Sequence, residues 1–302
     1  MWNIKKLFKP DPDRTILEKR SPAQKVLFGF VFVLLLLYSF TLVIPFVWVF
    51  ISTFKDQYVY ADVTANALAL PEKWLFKNWL DVPKYLVVDG QNYFVMLFNS
   101  LWLTIGRSTM YILVKVMAGY CVAKYVCKFT KAYYAVALFQ MMLPIMGASA
   151  ATYKLYWGSG LADSPLILLA ATGGMGFDFI MITGFFRNLS NSYTEAAMLD
   201  GAGHHRIFWT IALPLALGPI SALYILALIG FWNDYYISLM YMPSYQTIAS
   251  GLFVYKQVAA GKFMNMPVYF AGVIVSALPA VVIFILFQGK IMKNVAVGGL
   301  KG

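Results

Sequence analysis

The chain has 302 residues, of which 61% are hydrophobic and only 12% charged, and its mean hydropathy is +0.69. Soluble domains carry about twice that share of charge, so this composition excludes a water-soluble globular protein and requires a surface largely covered by lipid. The formal net charge is +11. Because the basic residues gather at the ends of apolar runs, that excess reports membrane topology rather than nucleic-acid binding.

The chain opens on a polar, basic stretch, and its first apolar run is too long for the h-region of a signal peptide. Residues 1–25 are therefore expected to form a cytoplasmic tail. Six apolar runs follow, each near the ~20 residues that a helix needs to cross the hydrocarbon core. The first covers about 26–51 and carries Pro45; the second covers about 95–123 and holds Arg107 and Lys115. The connection between them, about 55–92, is the longest, contains Pro71 and Pro83, and is expected to cap the outer face. Cys121 and Cys127 lie at the end of the second run and make neither a disulfide framework nor a metal site; they read as small apolar filler. The third run covers about 132–151 with Pro144 inside, and the fourth about 165–186 with Gly173, Gly174 and Gly176 in its first half. The fifth spans about 211–232 and the sixth about 268–287 with Pro279, leaving residues 290–302 as a second tail. Proline and glycine inside such helices are tolerated where neighbours satisfy the freed backbone groups. The expected fold is all-α: a polytopic membrane helical bundle of about six transmembrane helices over residues 26–289, with one short cytoplasmic helix.

Orientation follows from the Lys/Arg bias. With the N-terminus inside, fifteen Lys and Arg residues fall on the inner segments and seven on the outer ones, which places both termini in the cytoplasm. The outer loops are rich in interfacial aromatics, among them Tyr58, Tyr60, Trp74, Trp79 and Tyr85.

Between the fourth and fifth runs, about residues 188–210, the chain reads as a short cytoplasmic helix, a bend and a lever. Ser192 with Glu195 three residues on is a capping-box pattern, and Glu195, Ala196, Ala197 and Leu199 favour helix. Gly201 and Gly203 stop it, and a second amphipathic helix runs into the fifth span. The alanines leave a bare face on which a partner surface can approach closely.

The spacing Glu195-Ala196-Ala197, three residues, Gly201, nine residues, Ile211, one residue, Leu213-Pro214 resembles the "EAA loop" of importer-type ABC permeases at every position. Asp200-Gly201-Ala202 is similar to the carbohydrate branch of that family. Phe98-Asn99-Ser100-Leu101, Ala118-Gly119-Tyr120, Phe231-Trp232-Asn233-Asp234 and the ending Gly298-Gly299-Leu300-Lys301-Gly302 resemble the maltose-permease "G" type. Ser190 departs from the proline that many relatives carry before the loop. The resemblance implies a permease subunit in a prokaryotic cytoplasmic membrane, importing a sugar or oligosaccharide delivered by an extracytoplasmic binding protein. It implies a second permease, usually a different chain, and two ATPase subunits that bind the ATP and Mg; no cofactor belongs to this chain. The loop becomes a coupling helix docked on the ATPase: Glu195 and Asp200 face it, Ala196 and Ala197 pack close, and Gly201 makes the bend. The tail 290–302 is expected to touch the ATPase pair as well.

The remaining polar residues admit two readings each. Charges inside a bilayer are costly and usually face a bundle interior. Asp178 in the fourth run either pairs with Arg107 or Lys115 of the second, or stands alone while Lys115 snorkels to the interface. Asn99, Gln140, Trp232 and Asn233 are candidates for a substrate path, since neutral sugars are held by hydrogen bonds and stacking; Trp232, with Tyr235 and Tyr236, fits an interfacial belt equally well. His204 and His205 are neighbours about 100° apart on a helix and share no metal site. The sequence holds no Gly-rich phosphate loop and no His-Glu-x-x-His, which argues against an enzyme. The alternative transporter class is one driven by an ion gradient, for which Asp178 is the sole candidate carboxylate; a membrane-embedded hydrolase lacks an evident nucleophile and base.

Overall fold

A computed structural model describes residues 22–62, 69–142, 149–170, 172–259 and 265–297. The N-terminal tail through residue 21, Pro144 and residues 298–302 lie outside the described residues. Helix α1, Pro22–Ser52, begins on a proline, whose missing N–H is one that no first-turn residue could pair within the helix. At about 1.5 Å per residue its 31 residues outreach the ~30 Å hydrocarbon core. The most apolar window of α1 buries nothing against the rest of the chain, so its surroundings are lipid or another subunit.

Beyond α1, α2 (Gln57–Ala61) and α3 (Lys77–Tyr85) build part of the connection to the next long helix. Asn78 of α3 donates to the carbonyls of Thr53 and Lys55 at 2.7 and 2.9 Å, which ties α3 to the end of α1. A two-residue turn at Asp89-Gly90, both with positive φ (50° and 77°), reverses the chain. It carries an isolated β-bridge, Val88 to Gln91, the arrangement that a primed turn favours.

Helix α4, Tyr93–Lys124, is the longest uninterrupted route through the bundle together with the final helix. Asn92 caps it by accepting the Val95 N–H at 3.0 Å. One face of α4 is buried from end to end, with Met96, Leu103, Ile112, Val116 and Tyr120 among its apolar members. Glycine at 119 is a packing requirement. A Cβ there would lie 3.0 Å from the Ile182 side chain and 3.3 Å from the Thr183 backbone nitrogen on the neighbouring helix.

The third run contributes α5, Lys128–Met142, and α6, Ser149–Gly158, on either side of positions outside the described residues. The fourth run is not a single helix: it divides into α7, Ile167–Ala170, and α8, Phe177–Asn188. This division has a local cause: Gly173 adopts φ +64°, which a right-handed helix does not accommodate. After the short α9, Ser192–Leu199, the fifth span starts earlier than its apolar run, at α10, His204–Ile207. It passes through a π-helical turn, Phe208–Ala212, into α11, Leu213–Trp232. Helices α12 (Tyr236–Tyr241) and α13 (Ile248–Ala259) precede α14, Met266–Val297, which continues through most of the expected C-terminal tail. By length and composition alone, three helices among the described residues qualify to cross a membrane: Pro22–Ser52, His204–Trp232 and Met266–Gly289. Helix α4 has the length but carries Arg107 and Lys115.

The inner core joins α4, α8 and the start of the fifth span. Tyr120 lies at its centre, with ring centroids 4.9 Å from Phe208 and 5.3 Å from Phe186. An outer core gathers Val82, Met96, Ile248 and Val268. Gly119→Val should force α4 and α8 apart and lower stability by about 1–3 kcal/mol, as overpacking does. Thermal unfolding of the detergent-solubilised protein checks this, and an unchanged midpoint would remove the close-approach account.

Candidate functional site

Helix α9 forms, but not through the expected capping box. With Ser192 as the cap, its hydroxyl would accept the Glu195 N–H. That N–H instead donates to the Asn191 carbonyl at 2.9 Å, because Asn191 is already helical at φ −68°, ψ −20°. Ser190 takes the capping part: its hydroxyl accepts the Ser192 N–H at 3.3 Å and lies 2.7 Å from the Ser192 hydroxyl.

The far end closes as a Schellman motif. Gly201 (φ +77°) donates to Met198 O at 3.0 Å, and Ala202 donates to Ala197 O at 2.9 Å. Gly201 thus makes the bend, whereas Gly203 is extended (φ −72°, ψ 163°) and opens α10. Ala197 is buried against its own chain, so it cannot be part of an outward face. Glu195, Ala196 and Asp200 are exposed. Leu199, 90% exposed, shares the face of Glu195 one helical turn on, with Met198 and Tyr193 exposed beside it. In the sequence Leu199 reads as a helix former and none of these three apolar side chains as part of a contact face; a leucine in a polar loop is the sign of one.

The lever leaving the loop has its own irregularity. Pro214 has no N–H for the Thr210 carbonyl, and the wide π turn at Phe208–Ala212 lies directly before it. Ala212 and Ala216 turn inward onto the inner core, and Leu213 packs at its margin.

The intramembrane charges pair differently from expectation. Arg107 forms its salt bridge with Asp234, 2.9 Å, and its guanidinium lies 4.1 Å from the Phe231 ring centroid. The other Asp234 carboxylate oxygen accepts the N–H of Tyr236 at 2.9 Å, capping α12. Asp178 accepts instead from the Tyr111 hydroxyl at 2.5 Å. Lys115 sits 3.1 Å from the Tyr111 ring centroid and donates to the Thr172 carbonyl at 2.9 Å. No salt bridge joins Asp178 to Arg107 or Lys115 among the described residues. The phenol of Tyr111 stands between the lysine and the aspartate, and Asp234 is nearer to Arg107.

Of the four residues considered for a substrate path, two are taken up internally. Asn99 is buried and donates to Gln246 O (3.1 Å) and Gln91 Oε1 (3.0 Å). Trp232 is buried and donates to Ser276 O at 2.8 Å, fixing α11 to α14. Gln140 and Asn233 are exposed, the Asn233 amide donating to Ile229 O of α11 at 2.8 Å. Gln140 lies against Gly174, where an added Cβ would collide with its amide.

Comparison with known proteins adds four findings. A family described as "Binding-protein-dependent transport system inner membrane component" matches residues 16–295. The diacetylchitobiose uptake system permease of Streptomyces coelicolor is 25% identical over 88% of this chain and 86% of its own length. The maltodextrin transport system permease of Streptococcus pneumoniae is 30% identical over 68% of this chain and 74% of its own. A bacterial ABC transporter involved in the import of the acidic polysaccharide alginate shares the fold, with a TM-score of 0.74 at 18% identity, covering 90% of this chain and 99% of that one.

A double-mutant cycle in detergent unfolding separates the two charge pairings. Arg107→Met and Asp234→Asn should couple by about 1–3 kcal/mol, as contacting charged groups do, while Arg107→Met and Asp178→Asn should be near additive. Equal coupling in both cycles would contradict the geometry.

Proposed function

The chain belongs to the binding-protein-dependent transport system inner membrane components, the permease subunits of ABC importers, and from that membership we propose that it imports a sugar or oligosaccharide. The names of the two relatives support the solute class, since one takes up diacetylchitobiose and the other maltodextrin. An extracytoplasmic binding protein delivers the solute. Two ATPase subunits bind ATP and Mg and carry out hydrolysis, and a second, different permease completes the pore. The Lys/Arg bias supports a multi-pass arrangement in the cytoplasmic membrane with both tails, to about residue 25 and from about residue 290, on the ATPase side.

The observation that carries this reading is the exposed face of α9. A capped two-turn helix on the inner side presents Glu195 with Leu199 one turn away. Such a face, a carboxylate beside an unshielded apolar side chain, fits a cleft on a partner rather than water. Ala196 and Asp200 belong to the same contact, Gly201 fixes the bend, and Ala197 anchors the helix from within. Gln140 and Asn233, both exposed, are the residues we assign to the solute path. Helices interrupted at 172–176 and at Pro214 suit a subunit that alternates between inward- and outward-facing forms.

Affinity purification of the tagged chain from its native membrane tests the assembly. An ATPase, a second permease and a binding protein should co-purify, and the binding protein can be screened against sugars. Glu195→Ala should weaken ATPase retention about tenfold, the effect of losing one charge-assisted hydrogen bond, and reduce uptake. Full retention with unchanged uptake would rule out the role given to Glu195.

A further inference from the structure

Two consecutive residues at the inner end of α4 hold the two ends of the loop between spans four and five. Lys124 donates to Leu189 O at 2.7 Å and to Asn191 Oδ1 at 2.9 Å, where the chain leaves α8 and enters α9. Leu189 is the C-terminal cap of α8, so the ammonium also meets the negative end of that helix dipole. Tyr125, the cap of α4, sets its ring edge-on to His204, the first residue of α10, with centroids 5.5 Å apart. Between these grips the loop is closed on itself by the two backbone bonds from Gly201 and Ala202. Residues 189–204 therefore form a small unit clasped at both ends by a helix to which they are not covalently adjacent.

The three helices that meet at this unit differ in regularity. Helix α8 has 12 residues and ends at the interruption marked by Gly173. The fifth span begins with a π turn followed by Pro214 and contains Pro219. Helix α4 runs 32 residues with no proline inside and no change of helix type. Seventeen residues from Lys124, about 26 Å at the α-helical rise, Arg107 of α4 is paired with Asp234 just beyond the outer end of α11. A push delivered to α8 or to the base of the fifth span is absorbed at an irregularity. Delivered to α4, it reaches the Arg107–Asp234 pair.

We propose that α4 is the strut that carries motion of the coupling loop across the membrane, with Lys124 and Tyr125 as its joint to that loop. Lys124 is then a positioning residue for transport: it touches neither solute nor nucleotide and acts by making α4 follow α9. The proposal rests on α9 being the ATPase-docking helix.

Hydrogen exchange on the complete complex in nanodiscs, with and without ATP, Mg and vanadate, tests it. In the wild type, nucleotide trapping should alter exchange both in 192–199 and in 116–124. Lys124→Met should keep the response in 192–199 and lose that in 116–124, and Lys124→Arg should restore it. Lys124→Gln, which retains a neutral donor, and Asn191→Ala, which removes one acceptor, should give intermediate losses and keep the test available if the methionine variant does not assemble. Undiminished responses in both segments across these variants would overturn the strut. A trapped wild-type complex in which 192–199 does not respond at all would instead overturn the docking role of α9, and the strut with it.

Discussion

A helix interrupted inside a membrane leaves backbone groups without partners, and in hydrocarbon no water replaces them. Helix α4 supplies the partners. Several of its polar side chains meet an irregular segment elsewhere. Lys115 donates to Thr172 O where span four is broken. Arg107 binds the aspartate that caps α12. Asn99 donates to Gln246 O, and the Ser100 hydroxyl accepts the first amide of α13, from Ile248, at 2.8 Å. Lys124 serves the carbonyl that ends α8. The charges that make α4 a poor hydrophobic span are what permit its neighbours to be discontinuous.

That dependence links structure to transport. A subunit that alternates between two forms needs places where helices bend, and it needs those places to keep their hydrogen bonds. Here the irregularities sit in α7–α8, at the base of the fifth span and around α12, while α4 is unbroken between them. The inner core, centred on Tyr120, holds α8 and Phe208 against that unbroken helix, so the loop carrying Glu195 is positioned by packing as well as by its covalent neighbours.

Much of this was legible in the sequence. Apolar run length located the long helices, and the spacing from Glu195 to Pro214 located the loop and its bend, whereas the fourth run, read as one span with tolerated glycines, is interrupted at them. The errors share a physical origin. The capping box failed because one residue, Asn191, took a helical conformation and shifted the first turn. Asp178 was matched with a cation because charge is visible in sequence and a tyrosine standing between two charges is not. Asn99 and Trp232 looked available to a solute because their internal acceptors, Gln246 O and Ser276 O, lie 147 and 44 residues away. Backbone carbonyls at that separation leave no trace in composition or periodicity. The inward turn of Ala197 is likewise a matter of helix phase, which a one-residue change in the start of α9 is enough to set.

The most direct test places a photocrosslinking side chain at position 199, on the most exposed residue of α9, in the complete complex in its native membrane. The account predicts a crosslink to the ATPase subunit. Crosslinks confined to lipid or to this chain, with the ATPase present in the complex, would contradict it.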